Sequence, residues 1–94
     1  KEYSLEQNYP NPFNPVTTLK FSLPVESKVR LAISNVRGQV TVVLQDGVQQ
    51  AGYKHIEWNA SAAASGVYFY RLEATSTTDP STTFTQVKKM LFVR

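Results

Sequence analysis

Apolar and polar residues alternate with a period of two along much of the chain. Leu19, Phe21 and Leu23 alternate with polar residues, and the same pattern returns over residues 28–34. This period is typical of a strand with one buried face, and no segment shows a helical period, which argues against α/β folds. The strands predicted in this way cover residues 18–23, 28–34, 40–44, 53–59, 67–74 and 82–93, and the last range holds one or two strands.

Turn-forming residues separate these strands. Residues 35–38 are predicted to form a turn in which Gly38 adopts a positive φ. Residues 46–47 and 51–52 carry further turn signals, with a short irregular link between them. Gly66 is expected to open the strand that follows it. About seven short strands at a spacing of about 10 residues predict an all-β antiparallel sandwich of two sheets.

The alternation also predicts which large side chains face the core. Trp58 is expected to point inward, on the face opposite to His55, which should face solvent. Tyr68, Tyr70 and Leu72 are expected to point inward from the next strand. These aromatic side chains are therefore predicted to be core residues.

A proline-rich segment precedes the first predicted strand. Proline fixes φ and removes an amide donor, so this segment can be neither a helix nor a central strand. We expect an extended, stiff strip that closes one end of the sandwich, with Tyr9 and Phe13 as its anchors. Residues 1–15 are accordingly predicted to be a lead-in strip that packs on a sandwich of residues 16–94, within one domain.

Composition narrows the possible functions. The chain has 94 residues, a formal net charge of +3 and no cysteine, which excludes disulfides, thiolate zinc sites and a cysteine nucleophile. The basic residues are scattered and do not form a stripe, which argues against a nucleic-acid partner. No apolar stretch approaches the about 20 residues of a membrane-spanning helix. The chain begins at Lys1 without an initiator methionine, and we interpret it as a domain excised from a longer exported protein.

The sequence offers no set of residues suited to catalysis. His55 is the only histidine, and the seven carboxylates are spread over turns and outward faces. A catalytic triad or a transition-metal site needs partners that this chain lacks. We therefore predict a protein that is not an enzyme and that holds no cofactor or metal.

Several distinctive sequence blocks follow one another over nearly the whole chain, from about Gln7 to Arg94. With these blocks the chain resembles the type A C-terminal sorting domain of type IX secretion substrates, and it is also similar to the immunoglobulin-like domain of the flagellar hook-capping protein. The blocks are Asn8-Tyr9-Pro10-Asn11-Pro12-Phe13-Asn14-Pro15, Thr18-Leu19-Lys20-Phe21-Ser22-Leu23-Pro24, Val36-Arg37-Gly38-Gln39-Val40, Ala51-Gly52, Trp58-Asn59, Ser65-Gly66-Val67-Tyr68-Phe69-Tyr70-Arg71-Leu72 and Lys88-Lys89-Met90-Leu91.

The resemblance implies an immunoglobulin-like fold and a function without catalysis. Such domains follow a cargo protein and bring it, after folding in the periplasm, to an outer-membrane translocon. A sorting peptidase then removes the domain, and the cargo is released or joined to a surface polysaccharide. The resemblance marks as recognition candidates Asn8, Tyr9, Pro10, Asn11, Pro12, Phe13, Asn14, Pro15, Gly38, Gly66, Tyr68, Lys88 and Lys89.

Two hypotheses and two alternatives follow. The last strand is expected to be an edge strand that offers unpaired backbone groups for strand addition, with Lys88 and Lys89 limiting indiscriminate pairing. The lead-in strip is expected to cap the sandwich.

One alternative function is that of a structural spacer or hook-cap module. The other is a carbohydrate-binding sandwich, which would need several aromatic side chains on one exposed face.

Overall fold

The computed structural model describes residues 2–94, and Lys1, the first residue of the predicted lead-in strip, lies outside the described residues. These residues form seven strands in two antiparallel sheets and no helix, which confirms the predicted all-β sandwich. The three-stranded sheet has the order β1-β2-β5, and the four-stranded sheet has the order β4-β3-β6-β7. The strands are β1 (Ser4–Leu5), β2 (Val16–Leu23), β3 (Ser27–Ser34), β4 (Val40–Gln49), β5 (Gly52–Asn59), β6 (Gly66–Ser76) and β7 (Thr83–Phe92).

The core lies between the two sheets and follows the predicted alternation. Leu19 and Leu23 of β2 and Leu31 of β3 have no exposed surface, and Tyr70 of β6 is equally buried. Trp58 also points inward from β5, whereas His55 on the opposite face is exposed. The alternation of apolar and polar residues therefore predicted the inward faces of the central strands correctly, because each strand packs one face on the other sheet.

β4 differs from the prediction. The expected turn at residues 46–47 and the irregular link after it are wrong, because β4 continues without a break to Gln49. Asp46 pairs with Arg30 and Gly47 pairs with Val29, so both residues belong to the ladder with β3. Local turn chemistry is outweighed here by eight cross-strand residue pairs between β3 and β4. The chain crosses to the other sheet at residues 50–51 instead.

Two predicted turns are present. Residues 36–38 form the turn between β3 and β4, and Gly38 has a φ of 81°, a conformation that side chains with a Cβ rarely adopt. The side-chain oxygen of Asn35 accepts hydrogen bonds from the backbone of Arg37 and Gln39, which closes this turn. Residues 60–65 form an irregular loop, because this segment is too short for a stable helix.

The end of the chain forms one strand. β7 pairs with β6 over ten residues, from Thr83 opposite Thr75 to Phe92 opposite Gly66. β6 is also longer than predicted and extends to Ser76. β7 stands at the edge of the four-stranded sheet, as predicted.

Candidate functional site

The proline segment, residues 7–15, lies along the outer edge of β7. The Phe13 amide donates a hydrogen bond to the Leu91 carbonyl at 3.0 Å, and the Val93 amide donates to the Phe13 carbonyl at 3.1 Å. Phe13 thereby forms an isolated parallel bridge with Phe92. The end of β7 thus has a backbone partner on its outer side, so this part of the edge is not open.

Side chains of the proline segment extend this contact. The Asn11 side-chain oxygen accepts a hydrogen bond from the Leu91 amide at 2.9 Å. The Gln7 side-chain nitrogen donates to the Lys89 carbonyl at 2.8 Å. Together with the Phe13 bridge, these bonds cover the edge of β7 from the Lys89 carbonyl onward.

The remainder of the β7 edge is open. Backbone groups of Lys89 and Leu91 point away from β6 toward the proline segment, and alternation gives Val87 and Thr85 the same direction. Within residues 2–94, no hydrogen-bond partner reaches the outward backbone groups of these last two residues. The predicted open edge is therefore correct for the middle of β7 and wrong for its end.

Asn8 is the polar centre of the proline segment and is only 2% exposed. Its side-chain nitrogen donates to Thr17 Oγ1 at 3.0 Å and to the Pro10 carbonyl at 3.1 Å. Thr17 Oγ1 donates to the same Pro10 carbonyl at 2.9 Å, and the Gln7 side chain donates to Asn8 Oδ1. This network fixes the bend of the segment onto β2.

Tyr70 joins the proline segment to the four-stranded sheet. Its hydroxyl accepts a hydrogen bond from the Asn8 amide at 2.8 Å and donates to the Glu6 carbonyl at 2.7 Å. Burial raises the pKa of Tyr70 to about 12, and the Asn8 hydrogen bond partly opposes that rise. The phenol is therefore held in the neutral, hydrogen-bonding form.

Four aromatic rings meet at the end of the sandwich where the proline segment packs. Phe13 stacks on Phe92 with centroids 5.2 Å apart and also contacts Trp58 at 5.7 Å. Trp58 meets Tyr68 edge-on at 5.4 Å. Phe13, Trp58 and Tyr68 come from three different sequence blocks, and Phe92 comes from β7. Pairs of this kind add about 0.5–1.5 kcal/mol beyond the burial of apolar area.

The two predicted anchors of the lead-in strip behave differently. Phe13 is 2% exposed and packs in the aromatic cluster, as expected. Tyr9 is 80% exposed, so its predicted role as an anchor is wrong. Its backbone pairs with Thr18, which places the ring on the outer face of the three-stranded sheet. Pro10, Pro12 and Asn14 are exposed as well, and Pro15 is half-buried.

The remaining candidates lie at separate places. Tyr68 is part of the aromatic cluster, and its hydroxyl donates to the Ala64 carbonyl at 2.6 Å. Gly66 begins β6 opposite Phe92, near that cluster. Gly38 lies apart from it, in the turn between β3 and β4. A role of these residues in recognition stays a prediction.

Lys88 and Lys89 do not form one patch. They are neighbours in a strand and therefore point to opposite faces of the sheet, with Lys88 half-buried and Lys89 exposed. Within residues 2–94, the salt bridges join other residues, Lys28 with Asp46 and Arg71 with Glu73. Of these two lysines, Lys89 is the one whose side chain is exposed.

No cluster that could hold a metal ion occurs among the described residues. Residues 2–94 contain no group of three or more histidine, cysteine or acidic side chains with suitable geometry.

Two exposed carboxyls, those of Glu26 and Asp79, have a lowered pKa. Hydrogen bonds from Thr77 and Gln50 lower that of Glu26, and hydrogen bonds from Ser81 and Thr82 lower that of Asp79. Glu26 lies in the connection between β2 and β3 and Asp79 in the connection between β6 and β7, so these hydrogen bonds stabilise the two connections.

Some residues of the site were not among the recognition candidates that the sequence indicated. Thr17 and Tyr70 complete the Asn8 network, and their distance from Asn8 along the chain hides the contact. Arg94 donates to the Ser61 and Ala63 carbonyls and lies over the Phe92 ring at 5.4 Å. Thr17 occupies an inward position of β2, and a polar residue at such a position indicates a buried hydrogen-bond partner.

The chain has a clear match among known protein families. The family model of the secretion system C-terminal sorting domain matches residues 7–88, which begins at the proline segment and ends within β7. No curated protein and no solved structure matches the chain significantly. No helix of residues 2–94 is long and apolar enough to cross a membrane. With a match over most of its length, the chain belongs to the family of type IX secretion C-terminal sorting domains, which direct their parent protein to export.

Proposed function

We propose that this domain carries a parent protein, joined at its N-terminus, to the outer-membrane translocon of the type IX system for attachment at the cell surface. Membership of the sorting-domain family supports the export role. In this proposal residues 1–15 connect the parent protein to the sandwich of residues 16–94. In the same proposal the domain, whose core lies between two sheets, folds in the periplasm before the translocon binds it.

The open middle of the β7 edge is the observation that carries the translocon contact. Backbone groups of Thr85 and Val87 point outward without a partner in residues 2–94, directly beside the covered end of the strand. Such an edge accepts an added strand through main-chain hydrogen bonds. The proline segment fixes where the open edge begins, so a partner strand has a defined register.

This edge exists only in the folded domain. Met90 and Phe92 of β7 are each 1% exposed, so the strand is held in place by the core. Deletion of residues 87–94 would remove these core side chains and unfold the sandwich, which would confuse loss of the signal with loss of the fold. A sharper test must block the edge without touching the core.

The parent protein would be separated from the domain after export. Tyr3 stacks on Phe84 at 5.6 Å and its hydroxyl hydrogen-bonds to Ser27 at 2.7 Å. Cleavage by a sorting peptidase before Tyr3 would therefore leave the sandwich intact. The released parent would then be joined to a surface polysaccharide or leave the cell.

Proline at position 87 tests the edge. Val87→Pro removes an outward amide of an edge strand, a position at which proline is tolerated, and Val87 itself is 49% exposed. The matched control is Val87→Ala, which keeps the amide and loses the same side chain. Each domain is fused to a reporter in a type IX-competent host, and surface-exposed reporter is measured alongside the melting temperature of the purified domain.

The expected result is display with the wild type and Val87→Ala and loss of display with Val87→Pro, while all three domains remain folded. Display that persists with a folded Val87→Pro domain would rule out recognition through this edge. A reporter that stays inside the cell with the wild-type domain would overturn the sorting proposal and favour a structural spacer.

A further inference from the structure

Two exposed tyrosines lie on one face of the molecule. Tyr9 is 80% exposed and Tyr53 is 78% exposed. Tyr9 pairs with Thr18, and Tyr53 pairs with Ser22. Residues directly opposite each other in antiparallel strands share a face, and positions 18 and 22 of β2 share the face that points away from the core. Both rings therefore stand on the outer face of the three-stranded sheet.

The two tyrosines are separated along the strand and not clustered. Their pairing positions, Thr18 and Ser22, are four residues apart in β2, which corresponds to about 13 Å along the strand. Three rows of side chains cross the face. The first is Tyr9, Thr18 and Glu57, the second is Glu6, Lys20 and His55, and the third is Ser4, Ser22 and Tyr53.

The surface beside Tyr53 is polar and concave. A depression of about 330 Å³ is lined by Tyr53, His55, Lys20 and Glu6, with Phe21 and Lys54 at its margin. No salt bridge within residues 2–94 involves Lys20, Glu6 or Glu57. No ion pair within residues 2–94 therefore competes with an external ligand for these three side chains.

The composition of this face selects among ligand classes. The centre of a protein interface is depleted of charged residues, whereas this centre consists of a lysine, a histidine and glutamates. A nucleic acid requires an excess of basic groups, whereas this face has one lysine and two glutamates, Glu6 and Glu57. A polar surface that carries two exposed aromatic rings matches a sugar chain, whose rings present C–H faces for stacking and hydroxyls for hydrogen bonds.

We propose that the outer face of the three-stranded sheet binds a neutral polysaccharide, with Tyr9 and Tyr53 each stacking on one sugar ring. Lys20, His55 and Glu57 hydrogen-bond the hydroxyls of the sugar units between them. This face belongs to the sheet opposite the one that contains the β7 edge. The site would hold the domain against surface glycan without the translocon contact.

Affinity electrophoresis tests the site on the whole domain. The gels contain mannan, laminarin, xylan, the O-polysaccharide of a type IX-competent host or, as an anionic comparison, alginate. The variants are Tyr9→Ala, Tyr53→Ala and the double substitution. Val48→Ala is the control, since Val48 is 55% exposed on β4 of the other sheet. Melting temperatures show that each variant is folded.

At least one neutral polysaccharide should retard the wild type and Val48→Ala equally. Each tyrosine substitution should weaken that binding about tenfold, and the double variant should migrate as in an empty gel. Tyr9→Phe and Tyr53→Phe should retain binding, because stacking requires the ring. The proposal is overturned if no neutral polysaccharide retards the domain, or if the double variant binds like the wild type.

The export assay separates this site from the sorting role. The double tyrosine variant, fused to a reporter, should still reach the cell surface, because the β7 edge is unchanged. Loss of glycan retardation together with normal display supports two independent surfaces. A folded double variant that fails to reach the surface contradicts their independence.

Discussion

The rings of Phe13 and Phe92 stack with centroids 5.2 Å apart and an interplanar angle of 23°. One ring belongs to the proline segment and the other to the last strand, so the two ends of the chain share one contact in the core. The same two residues form a parallel bridge through their backbones. The lead-in strip is therefore held by side-chain packing and by main-chain hydrogen bonds together.

Phe13→Ala should lower the free energy of unfolding by about 3–5 kcal/mol, because it leaves a cavity among three aromatic rings. The melting temperature of a domain of this size should fall by at least about 12 °C. Chemical denaturation and calorimetry measure both quantities. A change below about 1 kcal/mol would show that the proline segment does not contribute to the core.

Tyr9→Ala is the matched control for this substitution. Tyr9 is an aromatic residue of the same segment, but it is 80% exposed. Its truncation should change the free energy of unfolding by no more than about 0.5 kcal/mol. Equal losses for the two variants would contradict the separation of a buried and an exposed ring.

Asn8→Ala should destabilise the domain by about 1–3 kcal/mol, because it leaves the buried hydroxyl of Thr17 without the amide donor of Asn8. Asn14→Ala is the control, since Asn14 lies in the same segment and is exposed. That control should stay within about 0.5 kcal/mol of the wild type. Urea denaturation of the wild type, Asn8→Ala and Asn14→Ala measures these free energies. Equal stability of all three would show that Asn8 does not stabilise the fold.

The contrast between Phe13 and Tyr9 also shows that burial could be predicted in the regular strands but not in the proline segment. In β2 the alternation of Leu19, Phe21 and Leu23 identified the buried face, because a regular strand turns each side chain by a fixed amount. The proline segment is not a regular strand, and its bends remove that periodicity. Aromatic character alone then suggested two anchors where the fold has one.

Long-range pairing explains the other differences. Residues 46–47 have turn chemistry, but their pairing with Arg30 and Val29 keeps them in β4. Asn8 and Tyr70 are 62 residues apart along the chain, and no local pattern signals their hydrogen bond. The sequence indicated which residues belong to each strand face, whereas contacts between distant segments depend on how the sheets pack.

Arg94→Ala should loosen the loop of residues 60–65. The Arg94 guanidinium donates to the Ser61 and Ala63 carbonyls and lies over the Phe92 ring. Its loss should cost about 1 kcal/mol and increase hydrogen exchange in the loop. Arg37→Ala, in the exposed turn between β3 and β4, should leave exchange in that loop unchanged. Equal exchange in the wild type and Arg94→Ala would show that the loop is held by other contacts.

The stability of the domain should fall steeply at alkaline pH because of Tyr70. In the unfolded chain a tyrosine ionises near pH 10, whereas burial raises the pKa of Tyr70 to about 12 in the folded domain. Above about pH 10 the unfolded state has lost a proton that the folded state retains, so unfolding becomes more favourable with rising pH. The contribution is fully present below about pH 10 and is lost through about pH 12, by about 2–3 kcal/mol in all.

Tyr70→Phe isolates this effect from the ionisation of other tyrosines and lysines. At neutral pH the variant should be about 1–3 kcal/mol less stable than the wild type, because the Asn8 amide and the Glu6 carbonyl lose their partner. The gap should shrink as the pH rises from about 10 to 12, since only the wild type has a phenol to ionise at this position. Denaturant titrations of both proteins across this range measure the gap, and a constant difference would show that Tyr70 does not carry the pH dependence.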